Sequence, residues 1–93
     1  LGALLMKNFI YTLTQVEGAV KSLIFMNGGV LLSTEGSEVL EQIRLLEESG
    51  VEVLSCGTCL DSFQLGDKLR VGIITNMYTI VERLSGAARV ITL

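Results

Sequence analysis

The residues of this sequence best suited to covalent chemistry are its two cysteines, set three positions apart in Cys56-Gly57-Thr58-Cys59. They follow the apolar run Val51-Glu52-Val53-Leu54-Ser55, which has strand length, and they open a short helix-like segment. If that helix begins near Gly57, Cys56 lies at its N-terminus. Unpaired backbone N–H groups and the positive end of the helix dipole favour a thiolate there, and the thiolate is the form that attacks sulfur or binds metal. Gly57 leaves the approach clear, and Thr58 adds a hydroxyl. Three readings compete. Cys56 is a thiol nucleophile or persulfide carrier; or Cys56 and Cys59 form a reversible disulfide, as C-x-x-C at a helix start does in dithiol exchange; or both are small buried apolar residues.

Histidine is absent from the sequence. That removes Cys-His and Ser-His hydrolases, and it leaves two thiolates as only half of a tetrahedral zinc site. No metal is expected. Activation of Cys56 must come from the helix dipole, from a nearby Arg or Lys, or from a partner.

A second distinctive turn is Asn27-Gly28-Gly29, at the end of the apolar run Ser22-Leu23-Ile24-Phe25-Met26. Its bare backbone amides, with those of Gly57 and Thr58, form a candidate ligand-binding rim. A tight strand exit is the simpler reading. No G-x-G-x-x-G or Walker pattern follows, so no nucleotide cofactor is expected. Asp61 and Asp67 read as solvated surface carboxylates, and Met77 and Tyr78 as packing residues.

The elements that must position these residues follow from periodicity. Met6, Phe9, Ile10 and Leu13, joined by Leu1 and Leu5, predict a helix over residues 1–14. No cap precedes Leu1, so a segment is expected upstream. A strand covers 21–27. Caps at Thr34 to Ser37 introduce a helix with stripe Val39, Leu40, Ile43 and Leu46, closed by Gly50 as a C-terminal cap. Strand 51–56 follows, then a short helix whose inner face is Leu60 and Phe63 and which stops near Gly66. Residues 67–73 read as a connection, with a short strand at 69–71. Met77, Ile80, Val81 and Leu84 predict a helix capped at Thr75 or Asn76 and stopped at Gly86. A last strand covers 88–93. Continuous apolar strands alternating with helices predict an α/β fold, a parallel sheet covered on both faces. The cysteines and Asn27 then share the rim formed by the carboxyl ends of the strands, where open parallel sheets bind ligands.

The whole sequence, 93 residues long, is one domain. It is 49% apolar, with a mean hydropathy of +0.58. So small a body with so much apolar surface implies either a continuous core or burial against another subunit. The net charge is −3 with no basic cluster, which excludes the electrostatic footprint of nucleic-acid or anionic-membrane binding. No apolar run reaches the ~20 residues that cross a bilayer. The apolar start lacks the basic flank of a signal peptide, and two close cysteines do not make a secreted disulfide scaffold, so the cytoplasm is expected.

The segments from Gly2 to Leu13, Ile24-Phe-Met-Asn-Gly-Gly-Val30, Val53-Leu-Ser-Cys-Gly-Thr-Cys-Leu-Asp61 and Val71-Gly-Ile-Ile-Thr-Asn-Met-Tyr78 together resemble the DsrE/DsrF-like family. Cys-Gly-Thr-Cys and Thr-Asn-Met-Tyr are the specific parts, and they are most similar to the C-terminal DsrE-like domain of YedF-type proteins, a sulfurtransferase-like group linked to selenium metabolism. The resemblance implies a three-layer α/β/α, flavodoxin-like fold over residues 1–93, with a first strand expected before Leu1. It also implies a homo-oligomer and a sulfur-relay partner such as a TusA-like domain. In sulfur-relay members a cysteine at the end of the strand matching 51–55 accepts a persulfide sulfur and passes it on, and Cys56 falls there. Cys59 is a feature of the YedF-like branch; a resolving or protective role is expected of it. The alternatives that stay open are a non-catalytic oligomeric scaffold and a C-x-x-C redox domain.

Overall fold

A computed structural model describes residues 2–16, 18, 20–86 and 89–93. Each expected element has a counterpart in the order helix α1 (Gly2–Gln15), strand β1 (Ser22–Phe25), a 3-10 helix (Asn27–Leu32), α2 (Leu40–Glu48), β2 (Glu52–Cys56), α3 (Gly57–Ser62), β3 (Ile73–Thr75), α4 (Met77–Gly86) and β4 (Val90–Thr92). The expected last strand began at Ala88, which lies outside the described residues.

The four strands form one sheet in the order β3-β2-β1-β4, and every pairing is parallel. The chain therefore winds outward from β1 through β2 to β3, then returns to the far side of β1. Right-handed crossovers put the connections of the outward run on one face and the returning α4 on the other. The packing agrees. Leu23, Phe25 and Val53 join Ile10 and Leu13 of α1 and Ile43 and Leu46 of α2 in one core. Ile24, Leu54 and Cys56, of opposite strand parity, join Ile80 of α4 in the other. This is the three-layer α/β/α arrangement of flavodoxin-like folds.

Register and caps hold the layers in place. Ser22 sits opposite Glu52 and Phe25 opposite Ser55, so β1 and β2 end side by side. Gly50 closes α2 with φ at +105°, the left-handed conformation expected of a C-terminal cap. At the start of α2, the Ser37 hydroxyl accepts the Val39 N–H at 3.2 Å. Thr34 is instead buried, its hydroxyl donating to the Val30 carbonyl at 3.1 Å. Asn76 caps α4, its Oδ1 accepting the Thr79 N–H at 2.9 Å.

Three expectations are corrected. The strand after α3 is Ile73–Thr75 rather than 69–71; Leu69 makes only an isolated antiparallel bridge to Thr34. β3 is the outer strand of the sheet, paired on one side only, so Ile73 and Ile74 lie exposed and give no buried-strand signal. On α4 only Ile80 is buried, while Met77, Val81 and Leu84 are exposed. The helix meets the sheet through buried Ile80 and through half-buried Arg83, which reaches Glu52 of β2. Leu5 and Phe9 of α1 and Phe63 beside α3 are exposed as well.

Candidate thiol site

The site grows from the parity of β2. Ser55 points to the face covered by α1 and α2, fully buried, where its hydroxyl pairs with that of Ser33 at 2.7 Å. Ser33 in turn donates to the Val30 carbonyl at 3.1 Å, so the pair closes without an orphaned group. Cys56, one position on, points to the opposite face. Its side chain is 2% exposed and sits among Ile24, Leu54 and Ile80. Its backbone is extended (φ −66°, ψ 120°), which makes it the residue from which α3 starts, with no side-chain cap.

Cys59 comes one turn later. It is half-buried and touches both cores. Its Sγ accepts the backbone N–H of Asn27 at 3.2 Å. That contact joins the exit of β1 to the first turn after β2. It depends on Asn27 adopting φ of +52°, a left-handed conformation that asparagine tolerates better than most residues. Burial pushes the Cys59 thiol above its ordinary pKa; the Asn27 N–H opposes this, and the adjacent Cys56 thiol adds to it.

Of the other rim residues, Gly28 and Thr58 face solvent. Gly57 is where β3 approaches: a Cβ there would lie 3.1 Å from Ile74 Cγ2 and 3.3 Å from the Thr75 carbonyl oxygen. Gly29 is hemmed in by the Leu93 carbonyl, which a side chain would overlap. The structure therefore brings Asn27, Cys56, Gly57 and Cys59 together at the carboxyl ends of β1 and β2. Asp61 and Asp67 are exposed. Both thiols are free. Among the described residues no group of three or more His, Cys, Asp or Glu side chains converges as metal ligands do.

Two polar features were not anticipated from the sequence. One is the Ser33–Ser55 pair; the only hint was a serine inside an apolar run. The other lies at the opposite end of β2, where Glu52 accepts two hydrogen bonds from Arg83 of α4, at 2.7 and 3.0 Å, and one from Ser22 at 3.1 Å. Arg83 holds the Glu52 carboxyl below the usual carboxylate range, with burial working against it. A groove of about 950 Å³, lined in part by Leu13, Lys21, Leu46 and Glu52, also opens at that end. The thiols stand at the rim that parallel sheets use for ligands; the groove does not.

The sequence pattern that defines the DsrE/DsrF-like family matches residues 5–93. No curated protein and no solved structure matches the chain.

Proposed function

The chain belongs to the DsrE/DsrF-like family, and from that premise we propose that it carries sulfane sulfur as a cysteine persulfide at the Cys56–Cys59 pair. The family is generally associated with sulfur relay. The observation that carries the proposal is the placement of both cysteines at one rim of the parallel sheet, Cys56 ending β2 and Cys59 in the first turn of α3, where the Asn27 N–H at the exit of β1 donates to its sulfur. A relay protein needs a thiol that can meet a donor and a fixed donor group beside it, rather than a complete acid–base machine. The absence of histidine fits a carrier that borrows activation from its partner.

The Cys-Gly-Thr-Cys and Thr-Asn-Met-Tyr segments favour a relative of the YedF-type C-terminal domain, with a TusA-like domain as exchange partner in the cytoplasm. Selenium in place of sulfur is open to the same chemistry. The exposed Ile73, Ile74, Met77 and Val81 favour a homo-oligomer.

The test is intact-mass spectrometry after incubation with glutathione persulfide. The native chain gains one sulfur, and the double variant Cys56→Ser/Cys59→Ser gains none. Equal mass gains for the two proteins, or no gain in either, rejects the carrier. A second reading, dithiol–disulfide exchange, is favoured by one observation: both thiols are free and three residues apart at the start of α3, close enough that the Cys56 thiol raises the pKa of Cys59. Under that reading Cys59→Ser abolishes reductase activity towards a small disulfide.

A further inference from the structure

Resting on the carrier reading, we propose that Cys59, not Cys56, receives and holds the sulfur, and that Cys56 is the internal thiol that resolves it. Three observations carry this. Cys56 is 2% exposed and its neighbours Ile24, Leu54 and Ile80 are 0%, 1% and 0% exposed, a closed packing around the sulfur. A persulfide at Cys56 adds a sulfur atom to an interior packed to crystal density, where added volume forces side chains off their rotamers. Cys59 is only half-buried, beside solvent-facing Thr58, so an added sulfur there is not confined to the closed interior. Its Sγ is also the one fixed by a backbone donor, the Asn27 N–H at 3.2 Å.

In the loading step the Cys59 thiolate attacks the outer sulfur of a donor R–S–SH. The donor S–S bond breaks, R–S⁻ leaves with the electron pair and takes up a proton, and a new S–S bond forms on Cys59 Sγ. An acceptor thiolate removes that outer sulfur by the same displacement, returning Cys59 to its thiolate. When no acceptor arrives, the Cys56 thiolate attacks the inner sulfur, Cys59 Sγ. The Cys59 S–S bond breaks, hydrosulfide leaves, and a Cys56–Cys59 disulfide forms. Cys56 is oxidised and the departing sulfur reduced, one for one. An external dithiol resets the pair. The three-residue spacing at a helix start suits this closure.

The experiment loads the full chain with glutathione persulfide, quenches with acid and alkylating agent, and maps the added sulfur by peptide fragmentation. It appears on Cys59. Cys59→Ser does not load while folded, whereas Cys56→Ser loads and keeps its sulfur longer than the native chain, because the route to disulfide and sulfide is gone. Thermal unfolding of each variant confirms that it is folded. Sulfur mapped to Cys56, or Cys59→Ser loading at the native rate, overturns the assignment and leaves the carrier reading intact. No loading on either cysteine overturns both. Iodoacetamide alkylation of the unloaded protein separates the two failures. It labels Cys59 about tenfold or more faster than Cys56, which reacts only through local opening; equal rates overturn the assignment whatever the sulfur chemistry shows.

Discussion

At the residue scale, the chemistry of the pair depends on how deeply each sulfur is buried. Burial is the largest influence on the Cys59 thiol and raises its pKa, with the Asn27 N–H opposing. The thiolate fraction at neutral pH is accordingly small. The alkylation rate of Cys59 climbs through the alkaline range, with a midpoint above the free-thiol value of about 8.5. In Cys56→Ser the neighbouring thiol is gone, so the midpoint moves down but stays above that value, since burial remains. A pH–rate profile of alkylation measures both, and a midpoint below the free-thiol value in the native chain contradicts the placement. The buried hydroxyl pair gives a second prediction. Ser55→Ala costs about 1 kcal/mol in denaturant unfolding, because Ser33 keeps its bond to the Val30 carbonyl. That the cysteines matter was legible in Cys-Gly-Thr-Cys itself. Which sulfur is accessible was not. The two polar residues of β2, Glu52 and Ser55, fall on opposite strand parities and give no alternation to say which face Cys56 takes, and the Asn27–Cys59 contact joins residues 32 apart.

At the element scale, α4 and β3 bury little side-chain surface, so single changes there should be felt. Ile80 is the one buried residue of α4. Ile80→Ala costs about 2–5 kcal/mol, and it uncovers Cys56, whose alkylation then accelerates relative to Cys59. Gly72, just before β3, has φ of +74°, and a Cβ there would lie 2.6 Å from the Val53 carbonyl oxygen. Gly72→Ala combines a left-handed conformation with that overlap and costs about 2 kcal/mol or more; thermal unfolding checks it. The helices were readable from apolar residues at helical spacing, and the two central strands from short apolar runs that are indeed buried. β3 was not, since both its isoleucines are exposed and only pairing with β2 makes it a strand. The stripe Met77, Ile80, Val81 and Leu84 fixed the helix correctly but overstated its buried face, because periodicity identifies an apolar side without saying how much of it is covered.

At the scale of the whole molecule, the Glu52–Arg83 pair ties α4 to the amino end of the sheet. Glu52 has its pKa lowered mainly by hydrogen bonds from Arg83, so the folded state prefers the ionised carboxylate. This contribution to stability is present above the ordinary carboxylate value of about 4.3 and is lost as pH falls through the lower folded value. Glu52→Gln therefore lowers the melting temperature at neutral pH and flattens its fall in that acid range; parallel acid-side losses in the two proteins count against it. The apolar excess seen in the composition reappears as surface: Ile73 is 61% exposed and Tyr78 78%. Sedimentation velocity over rising concentration is expected to show self-association, weakened by Val81→Glu. A monomer throughout, identical to the variant, argues against an oligomer through this face. The sequence made the surplus legible, but not that much of it lies on β3 and α4.

The bond from the Asn27 N–H to Cys59 Sγ also turns the start of the neighbouring 3-10 helix into a reporter. An amide proton held against sulfur senses whether that sulfur is a thiol, a thiolate, a persulfide or half of a disulfide. In a nitrogen-15 correlation spectrum the Asn27 cross-peak should therefore move with each chemical state of Cys59. The state of the sulfur could then be followed in solution without labelling the cysteine itself.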